Sequence, residues 1–360
     1  MTKTANKGEW SEIYVLLKLL GEKKLYAGDG ELNKIEGLFY PILKVLRKEQ
    51  TNYYEYTLED DLVIVSGNGE ELLRKSVADF LNQANSLLEI IRKSKGVFDV
   101  PEIELFMSEI HCNKIKASSQ QKKDITIVIH DLRTGMTPML GFSIKSQLGE
   151  NSTLFNAGKT TNFTFTITGY DFSDAEIEAV NSINTSSKIK DRTTKIKELG
   201  GTFKFKMMDD AICRNNFILI DSYLPHIMAR ILVESNQSSM KNLKELTENI
   251  SKQNPLNYDT TYNQRFYEHK VKNFLVATAL GMVPHTPWNG EYQANGGYLV
   301  VKEDGDVLCY HFYDRNLFED YLYCNTKLET ASSSRYEFGK LYKNKEGELC
   351  FKLNLQVRFK

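Results

Sequence analysis

The chain has 360 residues, 41% of them hydrophobic and 26% charged, with 46 Lys and Arg against 47 Asp and Glu for a formal net charge of −1. This length allows a substantial buried core in one or two domains, and the ordinary composition excludes a largely disordered chain. The balanced charge excludes a strongly basic protein, so binding to nucleic acid would need local clusters of cations.

The terminal segments and cysteines favour a cytoplasmic protein. No apolar run approaches the roughly 20 residues that span a bilayer. The first ten residues, MTKTANKGEW, lack the apolar core of a signal peptide, so we expect a cytoplasmic location and no membrane partner. The five cysteines include no CxxC pair, which predicts reduced thiols rather than disulfides or a zinc site.

The first hundred residues are predicted to be mainly helical. Apolar residues recur at helical spacing over 8–20, 37–49 and 70–93, so we predict a helix over each range. The segment 53–69 reads as a short extended piece closed by a turn. We assign 1–100 to an N-terminal helical part that carries the first helix of the core.

The middle of the chain contains predicted strands. The β-branched run ITIVI (125–129), the alternating FSIKS (142–146) and NFTFTITGY (162–170) are expected to form one small sheet. Helices are predicted over 174–181, with Ser173 as N-cap, and over 217–234 and 240–250. We assign 101–235 to this core.

The last quarter of the chain is predicted to be rich in β structure. Glu-Asp-Gly-Asp at 303–306 and Lys-Glu-Gly-Glu at 345–348 are hairpin signals inside extended runs. The range 236–360 is therefore a candidate binding region with β-hairpins, either separate or part of one compact domain.

The strongest chemical signal lies between residues 123 and 162. Asp124 opens the first strand, a turn contains Gly135 and Pro138, and Lys145 lies on the second strand. A carboxylate beside an ammonium suits Mg²⁺-dependent cleavage of a phosphodiester, because Mg²⁺ prefers oxygen ligands and the cation lies near the attacked phosphate. The alternative is a capping acid and an exposed lysine on an ordinary hairpin.

Three further features extend this candidate site. Ser143, Lys145 and Gln147 share one face of the second strand, since side chains alternate along it. Glu12 on the first helix is a candidate for a further carboxylate, with Glu9 as the reserve. Asp131 is predicted to be a turn residue rather than a ligand.

Three blocks of the sequence resemble the HpaII-type restriction endonucleases across nearly the whole chain. They are NKGEWSEIY, then DITIVIHD with GFSIKSQLG and STLFNAGKTTNF, and then DRNLFEDYLYCNTKLETASSSRYEFGKLY with FKLNLQVRF. The resemblance implies a type II DNA endonuclease with a PD-(D/E)XK-like α/β core, a mixed sheet flanked by helices, and the target CCGG. It also implies a double-stranded DNA partner.

Carried over by residue, the resemblance puts the catalytic Asp on Asp124 and the motif lysine on Lys145. Where the general motif has Asp or Glu, this chain has Ser143, and a hydroxyl is a poor anionic ligand for Mg²⁺. We therefore expect Asp124, Glu12 and a backbone carbonyl near Ile144 to hold Mg²⁺.

Candidate DNA contacts are polar or cationic residues at predicted loop positions, mainly in 324–338. Guanine is read best by Arg or Lys, and polar side chains contact phosphates. The candidates are Lys159, Asn162, Arg315, Asn325, Lys327, Ser332, Ser333, Ser334 and Arg335. The cationic stretches 186–206 and 335–360 fit a DNA partner or simply solvated faces.

Two alternatives to a restriction enzyme remain at this point. A repair or structure-specific nuclease would share Asp124 and Lys145 but would lack sequence specificity. A DNA-binding protein with a decayed site would explain Ser143. A palindromic target favours a two-fold homodimer.

Overall fold

The computed structural model describes residues 3–49, 52–115, 123–292 and 295–360, and its elements are numbered in chain order. The strands are β1 Ala5–Asn6, β2 Lys24–Gly28, β3 Lys34–Glu49, β4 Asn52–Glu59, β5 Leu62–Gly67, β6 Glu70–Ser76, β7 Val97–Phe98, β8 Ile125–Ile129, β9 Met139–Ser146, β10 Thr153–Phe155, β11 Asn162–Thr168, β12 Thr202–Met208, β13 Gly297–Val301, β14 Val307–His311, β15 Thr326–Leu328, β16 Leu341–Lys343, β17 Leu349–Asn354 and β18 Val357–Phe359. The helices are α1 Lys7–Glu22, α2 Val77–Lys93, α3 Pro101–Glu109, α4 Asp174–Ser182, α5 Lys188–Glu198, α6 Ala211–Ile220, α7 Leu224–Gln237, α8 Leu243–Gln253, α9 Phe266–Leu280, α10 Arg315–Cys324 and α11 Ser333–Tyr336, with a 3₁₀ turn at Lys159–Thr161.

The chain forms two compact units, and both mix helices with sheet. Unit 1 comprises Met1–Ser152 and Gln293–Tyr321, and unit 2 comprises Thr153–Tyr292 and Leu322–Lys360. Unit 1 contains a nine-stranded sheet in the order β2-β14-β13-β9-β8-β3-β4-β5-β6. Unit 2 contains a four-stranded sheet, β12-β11-β17-β16, and a three-stranded one, β10-β18-β15. The predicted α/β class is confirmed.

The large sheet of unit 1 is mixed, as predicted. Strand β9 pairs with β8 in antiparallel and with β13 in parallel, and β14 pairs with β2 in parallel. Strand β13 therefore comes from a distant part of the chain to lie beside the hairpin. The pairing buries β9 inside the sheet rather than at its edge.

Helix α1 forms where the sequence predicts a helix, and its N-terminus is capped. The Asn6 side chain accepts a hydrogen bond from the Glu9 amide, and the Glu9 carboxylate accepts one from the Asn6 amide. A cap of this kind contributes about 1 kcal/mol. At Gly21 the helix approaches α2 so closely that an added Cβ would lie 2.8 Å from the Leu81 Cα, so a side chain there would push the helices apart.

The hairpin of β8 and β9 also follows the prediction. Ile125, Ile127 and Ile129 alternate with half-buried residues along β8 and face the core. In the turn that follows, the Asp131 carbonyl accepts from the Gly135 amide at 2.8 Å, and Gly135 has a φ of +70°. Asp131 is therefore a turn residue, as expected.

The predicted helix over 37–49 is wrong, because this segment is all of β3 except its first three residues. Strand β3 pairs with β2, β8 and β4. A register shift between Ile42 and Lys44 breaks its alternation, so that Tyr40, Ile42 and Val45 are the buried positions there. The buried residues Ile42 and Val45 are therefore three positions apart, which is a spacing typical of an amphipathic helix.

The predicted helix over 70–93 is correct only from Val77 onward. Residues Glu70–Ser76 form β6, which pairs with β5, and Ser76 then caps α2 by accepting from the Ala78 amide. The predicted range 217–234 is likewise two helices, α6 and α7, with Pro225 in the first turn of α7.

The three predicted central strands exist, but they do not form one small sheet. Strands β8 and β9 belong to the nine-stranded sheet of unit 1, whereas β11 pairs with β12 and β17 in unit 2. Local alternation identifies a strand and does not identify its partners. The helix over 174–181 with its Ser173 cap and the two late hairpins are confirmed. The segment 53–69 is extended as predicted, but it forms two paired strands, β4 and β5, rather than one short piece.

Over the parts of the chain that the structure describes, no single helix has the length and apolar content to cross a bilayer. The bent pair of α6 and α7, with 107° between the helices, meets that test only jointly.

Candidate active site

Asp124 is held at the open end of the β8–β9 hairpin by hydrogen bonds of its main chain and its side chain. Its backbone amide donates to the Phe142 carbonyl at 2.8 Å, which continues the ladder by one residue. Its Oδ2 atom accepts from the Ile144 amide at 2.7 Å. The acid is therefore tied to β9 by both its main chain and its side chain.

Lys145 lies on the same strand and is half-buried. Its Nζ atom is 5.0 Å from the centre of the Tyr298 ring, so the ammonium faces an aromatic surface. Burial lowers the pKa of Lys145, while the nearby carboxylates of Asp124 and Glu12 act to raise it. Both acids are thus within electrostatic reach of this one ammonium.

Glu12 reaches this group from α1. The neighbouring Ser11 hydroxyl hydrogen-bonds to the Ser146 hydroxyl at 2.8 Å, which holds α1 against β9. Glu12 is half-buried next to this contact. Glu9 instead accepts from the Asn6 amide in the helix cap, at 3.0 Å.

The other residues predicted for the site occupy the same strand or its end. Ser143 is half-buried and lies opposite Tyr298 in the parallel pairing with β13. Ile144 lies opposite Leu299 and packs against the core. Gln147 follows the last residue of β9, and its amide donates to the Val301 carbonyl at 2.9 Å. The structure thus brings the predicted catalytic group together in unit 1.

Tyr298 is the member of this group that the sequence did not reveal. It is 3% exposed, and burial together with the Asp124 carboxylate raises the pKa of its phenol. Its place depends on the pairing of β13 with β9, two strands far apart in the sequence. A sequence pattern gives no signal for such a long-range contact.

The oxygen atoms predicted to coordinate a metal near Lys145 suit an ion that keeps most of its hydration waters. Within the described ranges, no group of three or more His, Cys, Asp and Glu residues forms a metal cage. The oxygen donors predicted from the sequence are the carboxylates of Asp124 and Glu12 and a backbone carbonyl near Ile144. Mg²⁺ is commonly held by one or two carboxylates with waters and substrate phosphates, so the residues fit this ion.

The predicted DNA-contacting residues are spread over both units. Arg315 begins α10 and pairs with Glu319 at 2.6 Å in unit 1. In unit 2, Lys159 is exposed and forms an ion pair with Glu337. Asn162 is 3% exposed and donates to the Tyr336 carbonyl at 2.8 Å, so its amide is occupied inside the protein.

The segment 324–338 is not the continuous loop that the sequence predicts. Residues 326–328 form β15, where Lys327 lies opposite Arg358, and 333–336 form the single turn α11. Asn325 and Ser333 are both half-buried, whereas Ser332, Ser334 and Arg335 are exposed. The Arg335 guanidinium forms no ion pair with any residue that the structure describes.

Comparisons with known proteins identify the family. The sequence profile of the HpaII restriction endonuclease family matches residues 6–359. The chain is 46% identical over 360 residues to the type II restriction enzyme HpaII of Haemophilus parainfluenzae, an alignment that covers 99% of this chain and 98% of the relative. No solved structure matches. The chain therefore belongs to the HpaII restriction endonuclease family and is a type II site-specific deoxyribonuclease.

Proposed function

We propose that this enzyme cuts double-stranded DNA at CCGG with Mg²⁺, and that the group around Lys145 is its active site. The observation that carries this proposal is the Asp124 carboxylate, which accepts from the Ile144 amide directly beside Lys145 on β9. Identity of 46% with a type II restriction enzyme named HpaII supports the target that the resemblance implies. The helix α1 followed by the β8–β9 hairpin supports a PD-(D/E)XK-like core.

Residues from α1 and from the β8–β9 hairpin would together bind the metal ion. Asp124 and Glu12 would hold Mg²⁺ together with a backbone carbonyl near Ile144. The bound ion supplies positive charge beside the attacked phosphate and favours ionisation of water. The hydrogen bond from the Ile144 amide keeps the Asp124 carboxylate in one orientation, so little reorganisation is needed when DNA binds.

Lys145 is suited to act on the attacking water. Water attacks phosphorus in line with the departing oxygen, loses a proton, and leaves a phosphate on one DNA end and a hydroxyl on the other. Because burial lowers the pKa of Lys145, a larger fraction of this lysine than of an exposed one is the neutral amine that can accept that proton. In its charged form the same group stabilises negative charge in the transition state.

Ser143 and Gln147 would have supporting roles at this site. A hydroxyl at the position of the usual acid leaves the cluster with one negative charge fewer than the general motif. Glu12 compensates for that loss from α1, since it already acts electrostatically on Lys145.

The DNA target also bears on assembly and location. CCGG is palindromic, and a two-fold homodimer would present one active site to each strand. An enzyme with this substrate would act in the cytoplasm, on DNA that enters the cell.

The first test is digestion of plasmid DNA with and without Mg²⁺. The proposal predicts discrete, Mg²⁺-dependent bands that match the spacing of CCGG sites. Asp124→Ala should abolish cleavage yet keep the fold and DNA binding in Ca²⁺, because it removes a ligand and not a packing group. A smear of cleavage products would indicate a general nuclease. If Asp124→Ala cleaves at a rate within tenfold of the parent, another acid must be the metal ligand.

A second prediction concerns the two acids of α1. Glu12→Gln should slow single-turnover cleavage by on the order of 10²-fold, the scale at which single site groups commonly register. Glu9→Gln is the matched control on the same helix, and it should cost less because its carboxylate caps the helix. The reverse order of losses would show that the other side of α1 faces the reaction.

A third prediction compares Ser143 with Lys145. Ser143→Ala should keep substantial activity, since a neutral hydroxyl contributes at most one hydrogen bond. Lys145→Ala should lose nearly all activity, because it removes the charge beside the phosphate. Single-turnover rates on a short CCGG duplex decide the matter. Equal losses would place Ser143 among the groups around the metal, and unchanged cleavage by Lys145→Ala would exclude the hairpin from the reaction.

A further inference from the structure

Unit 2 contains a groove formed by two adjoining cavities, which we name the α5–α11 groove. The larger cavity has a volume of about 750 Å³ and the smaller one about 320 Å³. They share Lys188, Ser333 and Ser334 in their walls. The structure thus brings part of the cationic stretch 186–206 against the serines of α11, although these segments are far apart in the sequence.

The charge of the groove is strongly positive. Its cationic lining residues are Lys188, Lys190, Arg192, Lys241, Lys340 and Lys352, and its acidic lining residue is Glu337. Glu337 is already paired with Lys159, and Lys352 is paired with Asp209 at 2.7 Å. The acid in the first turn of α5, Asp191, accepts from the Thr185 hydroxyl and lines neither cavity.

The lysines of the smaller cavity lack acidic partners among the described residues. Lys188 is 3.4 Å from the Asn184 side-chain oxygen, and Lys190 is 3.4 Å from the Ser239 hydroxyl. Lys241 donates to the Ser235 carbonyl at 2.8 Å. Burial and the positive charge of the neighbouring Lys190 lower the pKa of Lys241.

Arg192 adds a buried positive charge to the larger cavity. Its side chain is 5% exposed and donates to the carbonyls of Asn181, Ile183 and Gly339, at 2.6 to 3.1 Å. Carbonyl oxygens satisfy its N–H groups but do not neutralise its charge. These bonds also fix the chain before α5 to the chain after α11, which keeps the two walls of the groove together.

We propose that the α5–α11 groove binds the phosphate backbone of the DNA duplex, with Lys188 and Lys190 as direct phosphate contacts. This rests on the proposed function and adds residues that position DNA without reading its sequence. Lysines and serine hydroxyls are ordinary phosphate ligands, and the duplex supplies the missing negative charge. Ser334 lines both cavities, and the exposed Arg335 follows it on α11.

The test measures DNA binding as a function of salt in Ca²⁺, with one duplex that contains CCGG and one that lacks it. Lys188→Gln/Lys190→Gln should weaken binding to both duplexes by a similar factor. The slope of log K against log salt should become shallower by about two, since each phosphate contact contributes about 0.9. Lys188→Arg/Lys190→Arg should restore most of the slope, which excludes loss of the fold as the cause.

The matched control is Lys197→Gln/Lys204→Gln, which removes the same charge from exposed positions of unit 2 outside the groove. This control should leave the slope unchanged. An equal change of the salt slope in the Lys188/Lys190 variant and in the control variant would overturn the assignment of the groove. So would an unchanged slope in the Lys188/Lys190 variant. A loss confined to the CCGG duplex would do so as well, because it would indicate base readout. Absence of binding by the parent protein to either duplex would instead overturn the proposed function itself.

Discussion

The antiparallel pairing of β8 with β9 is the constraint on which the candidate active site depends. Its register sets Ile125 opposite Phe142 and so brings Asp124 beside the Ile144 amide. A slip by one residue would turn Lys145 to the other face of the sheet. Such a slip would also turn Phe142, which is fully buried, out of the core, so the core itself holds the catalytic register.

Positive charge is concentrated on particular surfaces of this protein, so a net charge of −1 is compatible with a DNA substrate. Many surface cations are neutralised by acids, as Lys206 is by Glu346 and Glu348. The lysines of the smaller cavity of the α5–α11 groove are not. Association with a polyanion depends on such local fields rather than on the overall balance. The cationic stretch 186–206 supplies three of the groove's cations, whereas the net charge of the chain indicates no surface.

The sequence predicted those parts of the molecule that local chemistry determines. The apolar stripe of α1, the β-branched run of β8 and the Asp124–Lys145 hairpin are local, and the structure has them. The segment 37–49 was mispredicted because a register shift in β3 imitates a helical spacing. Tyr298, the partners of β11 and the α5–α11 groove depend on contacts between distant segments, which no window of sequence reveals.

The central claim is that α1 and the hairpin form one electrostatic site, and a double-mutant cycle tests it most directly. Single-turnover cleavage of a CCGG duplex would be measured for Glu12→Gln, Lys145→Arg and the variant with both changes. Groups that act as a unit give non-additive losses. We predict that the double variant loses much less activity than the product of the two single losses. Losses that multiply would show that Glu12 and Lys145 act independently and would contradict this account.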